Sequence, residues 1–380
     1  MTDHAPPRQI VGHVLTPQGF VQGTLWLDDA GRIARIDGSP CNEADVRAST
    51  RPLVLPGFID LHVHGGGGHD TMAGGDAVVQ IAQLHARHGT TSLLATTMTA
   101  PHDELAAALA ALGPAIAQRP RGGARVLGVH LEGPYINAGR LGAQPDCTRP
   151  GAMDELLALH ALAPIRLITL APELPGHLAW IAPLRAKGFV VQIGHSDGSY
   201  EDGVAALNQG ASGFTHLFNA MSGLHHRAPG MVGAALAHAR YAELIPDLLH
   251  VHPGAIRAAL RAIPGLYCVT DATAATGMPD GDYALGSQRV TKCLGGVRLA
   301  DGTLAGSTLT MDQALRNLVG LGLDLADASR RVSTHAADFL GLADRGRLQA
   351  GAWGDLVVLD HDLKLQQVWV EGESISLDRG

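Results

Sequence analysis

The chain of 380 residues is 46% hydrophobic and 17% charged, enough for one large α/β domain or two ordinary ones and too apolar for disorder. A formal net charge of −8, with no Lys/Arg-rich run and no aromatic-basic interleaving, argues against nucleic acid as the main partner. An anionic small substrate would then need local positive charge, not a global field.

In chain order, residues 8 to 48 read as short strands and turns, "QIVGHVLTP" and "FVQGTLWLDDAGRIARI". A similar pattern returns in "GDLVVLDHDLKLQQVWVEG", so the two ends are expected to build one small β-sandwich domain from residues 1–52 and 345–380. The opening "MTDHAPPRQIVGH" lacks an apolar signal core, and no apolar run approaches membrane-spanning length. Cys41, Cys147, Cys268 and Cys293 form no CxxC pair and read as reduced thiols, so the expected location is cytoplasmic, with no membrane partner.

Between the ends, over residues 53–344, eight apolar segments read as buried parallel strands: "LPGFIDLHVH", "TSLLATT", "RVLGVHLEG", "IRLITLAPE", "FVVQIGH", "GFTHLFN", "AELIPDLLHVH" and "GLYCVTDA". Helical stretches such as "DAVVQIAQLHARHG", "PHDELAAALAALG", "MDELLALHALA" and "SYEDGVAALNQG" separate them. The expected fold is an α/β, (β/α)8 TIM-type barrel, with a doubly wound open sheet as the alternative.

Ionisable residues collect at the C-terminal ends of these strands. They are His62 and His64 on the first, Glu132 on the third, His195 on the fifth, His216 in the sixth, His250 on the seventh and Asp271 on the eighth. In a barrel these ends converge on one mouth, and twenty scattered histidines have no reason to prefer them. Three chemistries fit such a cluster. In a metal centre, His62 and His64 share a strand face, and with Glu132, His195 and His216 they suit Zn²⁺ or Fe²⁺, Asp271 taking a proton from water. In a serine esterase, "GHSDG" supplies Ser196, "HGGG" the oxyanion loop, and Asp271 and His335 the triad partners. That reading leaves His62, Glu132 and His216 unexplained. A purely structural cluster would bury many ionisable groups at a cost that coordination or pairing must offset. His85, His88 and His335 read as helix decoration or packing, Ser307 as a helix cap or pocket wall, and Gly65 to Gly68 as a tight turn.

The segments "PGFIDLHVHGGGG", "HLEGPYIN", "GHSDG", "THLFNAMSGLHHRAPG", "LHV", "VTDATAATG" and "LAGSTLTMDQALRN" run in order from about residue 55 to 317. Together they resemble the N-acetylglucosamine-6-phosphate deacetylase family of the amidohydrolase superfamily. The resemblance implies hydrolysis of the acetamide of an N-acetyl amino-sugar 6-phosphate, N-acetyl-D-glucosamine 6-phosphate first, with one or two divalent ions per subunit. It implies Glu132, His195 and His216 as the main metal ligands, and His62 and His64 as the pair that supports a second ion. Asp271 is then the general base and acid, and His250 a substrate contact. Asn219, Ala220 and Arg227 form the phosphate site, Arg227 coming from the other subunit of a homodimer. Family members commonly carry a histidine where this chain has Gln144, which becomes a substrate-binding residue of altered character. The alternative within the superfamily is a cyclic amidohydrolase or deaminase. Many of those bridge their ions with a carboxylated lysine at the end of the fourth strand, and here that strand ends "LITLAPE".

Overall fold

The structure, a computed structural model, describes residues 8–377; the remaining residues of the expected end domain, and most of the opening stretch, lie outside these. Strands β1 (Arg8–Thr16), β2 (Gly19–Leu27) and β3 (Ile33–Cys41) form an antiparallel meander. Strand β4 (Leu53–Pro56) pairs parallel with β1 on one side.

The centre begins at β5 (Phe58–Val63), followed by a short hairpin of β6 (Gly65–Gly66) and β7 (His69–Asp70). Then come β8 (Thr90–Thr96), β9 (Arg125–Glu132), β10 (Ile165–Leu170), β11 (Val190–Ile193) and β12 (Gly213–Phe214). Strands β5, β8, β9, β10, β11 and β12 make a parallel six-stranded sheet in that order. Every residue of β5 and β8 is buried, as strands covered on both faces require. Strands β13 (Tyr241–Leu244) and β14 (Gly265–Cys268) form a parallel pair. Backbone bonds join this pair to both edges of the sheet: Leu217 N–H donates to Glu243 O (2.9 Å) and Asp271 N–H to His62 O (3.0 Å), beside a parallel bridge between Val63 and Ala272. Helices such as 77–87, 102–117, 153–162 and 200–208 occupy the expected intervals.

All eight expected segments contain strands, but the seventh ends at Leu244, leaving His250 in a loop. Pro246 has no N–H to continue the ladder, and the Asp247 carboxylate folds the chain back by accepting from the backbone N–H of Leu249 and His250, 2.9 Å each. Three antiparallel strands, β15 (Gly281–Leu285), β16 (Gln288–Cys293) and β17 (Gly296–Arg298), form an insertion the sequence reading did not anticipate.

At the C-terminal end, β18 (Leu356–Leu359), β19 (Leu365–Val370) and β20 (Glu373–Ile375) return to the N-terminal strands. β18 pairs with β4, giving one seven-stranded sheet in the order β20-β19-β18-β4-β1-β2-β3. The two ends therefore meet, edge to edge through β4; the expected start of the central unit belongs to this sheet instead. Ile10, Val14, Leu25, Val54, Leu356 and Val358 pack a separate core against it.

Candidate metal centre and active site

Parallel strands place their last residues at a common rim, and the ionisable side chains meet there. Glu132 is the final residue of β9 and sits between two histidine pairs. Its Oε1 lies 3.1 Å from His195 Nε2 and 3.0 Å from His216 Nε2. Its Oε2 lies 3.4 Å from His62 Nε2 and 3.1 Å from His64 Nε2. Asp271 Oδ1 closes the second half, 3.5 Å from His62 and 3.3 Å from His64. All six residues are buried. His195, His216 and Asp271 hold positive φ angles of 48°, 29° and 51°, conformations that cost non-glycine residues and cluster at functional sites.

The tautomers follow from the outer nitrogens. His62 Nδ1 donates to Glu243 Oε2 (3.1 Å) and His195 Nδ1 to Arg140 O (2.8 Å), so both Nε2 atoms turn lone pairs inward. Burial opposes charge on His62 and His64, yet Glu132 and Asp271 pull both up, His64 to about 9. Burial likewise opposes ionisation of Glu132 and Asp271, but His62 and the other histidines hold Glu132 well below its usual range and Asp271 down to about 2. Two imidazolium rings cannot share this space, because the Nε2 atoms of His62 and His64 are 3.2 Å apart and two N–H groups would face each other. A divalent cation on the lone-pair side satisfies the same carboxylates without that clash. His62, His64 and Glu132 form one triad able to hold an ion, and Glu132, His195 and His216 another.

The glycine run is fixed by what surrounds it. A Cβ on Gly65 would lie 2.4 Å from His69 O and 2.6 Å from Ala274 N, and Gly67 and Gly68 have φ of 64° and 86°. The N–H groups of Gly65, Gly67 and Gly68 bond to the carbonyls of Ala272, Thr276 and Ala274. These bonds tie His64 to the loop that carries Asp271, and they leave those donors unable to serve as an oxyanion hole or phosphate cradle. His85, expected at a helix surface, is instead fully buried beneath this run. Its Nε2 donates to Gly65 O (3.0 Å), and burial lowers its pKa to about 4.

A cleft of about 230 Å³ opens over the cluster. His64, Glu132, Gln144, His195, His216, Asn219, Ala220, His250 and Asp271 line it, with Leu285, Thr303 and Leu304 from in and beside the unanticipated insertion. His250 Nδ1 donates to Asp247 Oδ2 at 2.7 Å; burial opposes its charge, but Asp247 raises its pKa. Arg227 is not brought to the cleft: it is exposed beside His226. Ser196 Oγ donates to Glu173 (2.6 Å) and accepts from Gly198 N–H, while His335 Nδ1 is engaged with Leu266 O. Ser196 thus lacks the histidine partner an esterase nucleophile needs. Ser307 neither caps the helix, whose first cap is Thr310, nor lines the cleft; its Oγ donates to Thr270 O and its N–H to Asp271 O. Sequence reasoning missed Glu243, fully buried behind His62. The available signal was an acidic residue inside an apolar strand, "YAEL".

The amidohydrolase family profile matches residues 53–375. The N-acetylgalactosamine-6-phosphate deacetylase of Escherichia coli O157:H7 is 40% identical over 378 residues, 96% of this chain and 99% of that one. The N-acetylglucosamine-6-phosphate deacetylase of Lysinibacillus sphaericus is 40% identical over 355 residues, 91% of each chain. Among solved structures, an aspartate-to-alanine variant of the Mycobacterium smegmatis N-acetyl-D-glucosamine-6-phosphate deacetylase, in complex with N-acetyl-D-glucosamine-6-phosphate, superposes with a TM-score of 0.89. It is 34% identical, covering 98% of this chain and 100% of that one. The Thermotoga maritima N-acetylglucosamine-6-phosphate deacetylase matches with the same TM-score at 31% identity, covering 97% and 99%. This chain therefore belongs to the amidohydrolase family and, within it, to the N-acetylglucosamine-6-phosphate deacetylases.

Proposed function

We propose that the chain is a metal-dependent deacetylase of N-acetyl amino-sugar 6-phosphates, N-acetyl-D-glucosamine 6-phosphate first, releasing acetate and the amino-sugar 6-phosphate. The observation that carries the reading is the pair of histidine pairs facing the two oxygens of one buried carboxylate, with Asp271 beside them at the cleft floor. The central strands are then a closed (β/α)8 barrel, and the seven-stranded sheet from both ends is its small companion domain. The ligands are Glu132, His195 and His216 at one position and His62, His64 and Glu132 at the other, a donor set suited to Zn²⁺ or Fe²⁺. Bound there, a divalent ion supplies Lewis acidity, lowering the pKa of a water and polarising the acetyl carbonyl.

The chain's own groups do the rest. Asp271 takes the proton of the attacking water and returns it to the departing amine. His250, whose pKa Asp247 raises against the opposing effect of burial, is the contact to the carbonyl and sugar. Asn219 and Ala220 line the cleft and are assigned to the phosphate. The described residues lining the cleft include no lysine or arginine, so a sugar phosphate bound there meets no guanidinium or ammonium group among them. That gap supports a homodimer in which Arg227 of a second copy completes the phosphate site, where its planar donors grip two oxygens. The four free cysteines support a cytoplasmic enzyme.

The test is turnover on a panel of N-acetylglucosamine 6-phosphate, N-acetylgalactosamine 6-phosphate, hydantoin, dihydroorotate and nucleobases, before and after chelation. Acetate release from an acetylated sugar phosphate, lost on chelation and restored by Zn²⁺ or Fe²⁺, is expected. Turnover of the rings alone would move the chain to the ring-opening or deaminating branch of the superfamily, and chelator-insensitive activity lost in Ser196→Ala would restore the esterase.

A second expected result concerns pH. Asp247 raises the His250 pKa, so the protonated form persists to higher pH and is lost as pH rises through the folded value. Asp247→Asn removes the raising partner. The alkaline limb of kcat/KM is expected to move to lower pH in a steady-state profile; an unmoved limb takes His250 out of the reaction.

A further inference from the structure

The Gln144 side-chain amide is locked at both ends. Its Oε1 accepts the backbone N–H of Thr99 at 2.6 Å, and its Nε2 donates to Glu132 Oε2 at 2.7 Å. A backbone N–H can only donate, so Thr99 fixes which end is oxygen, and the amide nitrogen must face Glu132. The residue is 5% exposed, and its own N–H closes a turn on Leu141 O at 2.9 Å. Thr99, in the loop after β8, is fully buried, so the anchor is rigid.

The consequence is asymmetric. Glu132 Oε1 meets His195 and His216, while Oε2 meets His62, His64 and the Gln144 amide. A carboxylate with one oxygen held by a fixed neutral donor cannot rotate about its terminal torsion, so each oxygen stays aimed at one histidine pair. An anchor of this kind is what orients a ligand and sets its affinity.

Resting on the metal reading above, we infer that Gln144 is a positioning residue for Glu132, holding its carboxylate across the two histidine pairs, and not a contact to the sugar. The amide serves the half formed by His62 and His64, the half that Glu132 reaches through Oε2.

The experiment compares wild type, Gln144→Met and Gln144→Asn, stripped with chelator and reloaded with Zn²⁺. Metal stoichiometry is read by mass spectrometry, affinity by competition with a chromophoric chelator, and kcat and KM on the acetylated sugar phosphate that wild type turns over. Methionine keeps the volume and loses both bonds; asparagine keeps the amide but cannot span both partners. Both variants are expected to bind the weaker of two zinc ions about 10- to 100-fold less tightly. Their kcat should fall, KM should change less than about twofold, and the unfolding midpoint of the metal-free protein should match wild type. Unchanged zinc affinity with a KM raised tenfold or more would show a sugar contact and overturn the inference, as would an equal loss of stability in the metal-free proteins. Wild type that binds no zinc and ignores chelator would overturn the metal reading itself, a failure separate from normal binding in wild type and variants alike.

Discussion

Asp271→Asn is expected to lower kcat by about 10²- to 10⁴-fold, the range that a positioned proton-transfer group contributes, while zinc content and thermal midpoint stay at wild-type values. The backbone predicts that the substitution will be silent in the fold. Asp271 has φ of 51°, a region that asparagine tolerates as well as aspartate. Its N–H is held by His62 O and its carbonyl by Ser307 N–H, so the side chain is aimed by main-chain bonds that an amide leaves untouched. What asparagine removes is proton affinity. The native carboxyl, held down to about 2 against the opposing effect of burial, is ionised across the neutral range and available to accept a proton. Activity should be measured with saturating metal, so that any change in loading is separated from the proton step. Turnover within a few-fold of wild type would remove Asp271 from catalysis.

The outcome at this position also shows how far the sequence could be read. The eight central strands and the histidines at their ends were legible because both follow local rules. Parallel strands buried on two faces write continuous apolar runs, and the rim that collects their ends exposes whatever polar residue comes next. The supports behind those residues were not legible. Glu243 reaches His62 from across the fold, a partnership between residues 181 positions apart. Gln144 could be seen as a departure from the family pattern, yet its anchor on Thr99 depends on two loops whose approach no spacing reveals. His85 looked like a helix-end cation because it falls in the last turn of its helix; only the docking of that helix under Gly65 and Gly66 shows a buried, neutral ring. The strands at 281–298 alternate weakly and are bounded by Gly-rich turns, a pattern that reads equally well as loop. The end strands were foreseen, but their union in one sheet depends on β4 pairing on both edges, which register and not composition decides.

Removing the shared carboxylate should have an effect of similar size by a different route. Glu132→Ala is expected to abolish high-affinity zinc binding at both positions and to lower kcat/KM by roughly 10³-fold, corresponding to about 4 kcal/mol of lost transition-state stabilisation. Glu132 is the one oxygen ligand common to the two triads, so its loss leaves His195 and His216 without a carboxylate between them and His62 and His64 with Asp271 alone. The double replacement of His62 and His64 by asparagine serves as the contrast, because it dismantles only the half reached through Oε2 and leaves Glu132 with His195 and His216. That protein should retain one tightly bound ion where the Glu132 variant retains none. The alanine variant also relieves a burden: Glu132 is 1% exposed and ionised, and His62 and His64 lose one of the two anions that pull charge onto them, Asp271 remaining. The metal-free Glu132→Ala protein should therefore fold, with a cavity whose cost is set against the removal of a buried charge. Zinc content by mass spectrometry and turnover after reloading decide the matter. If Glu132→Ala keeps two ions and wild-type activity, the bridging geometry has no catalytic meaning, and the cluster returns to a set of buried hydrogen bonds.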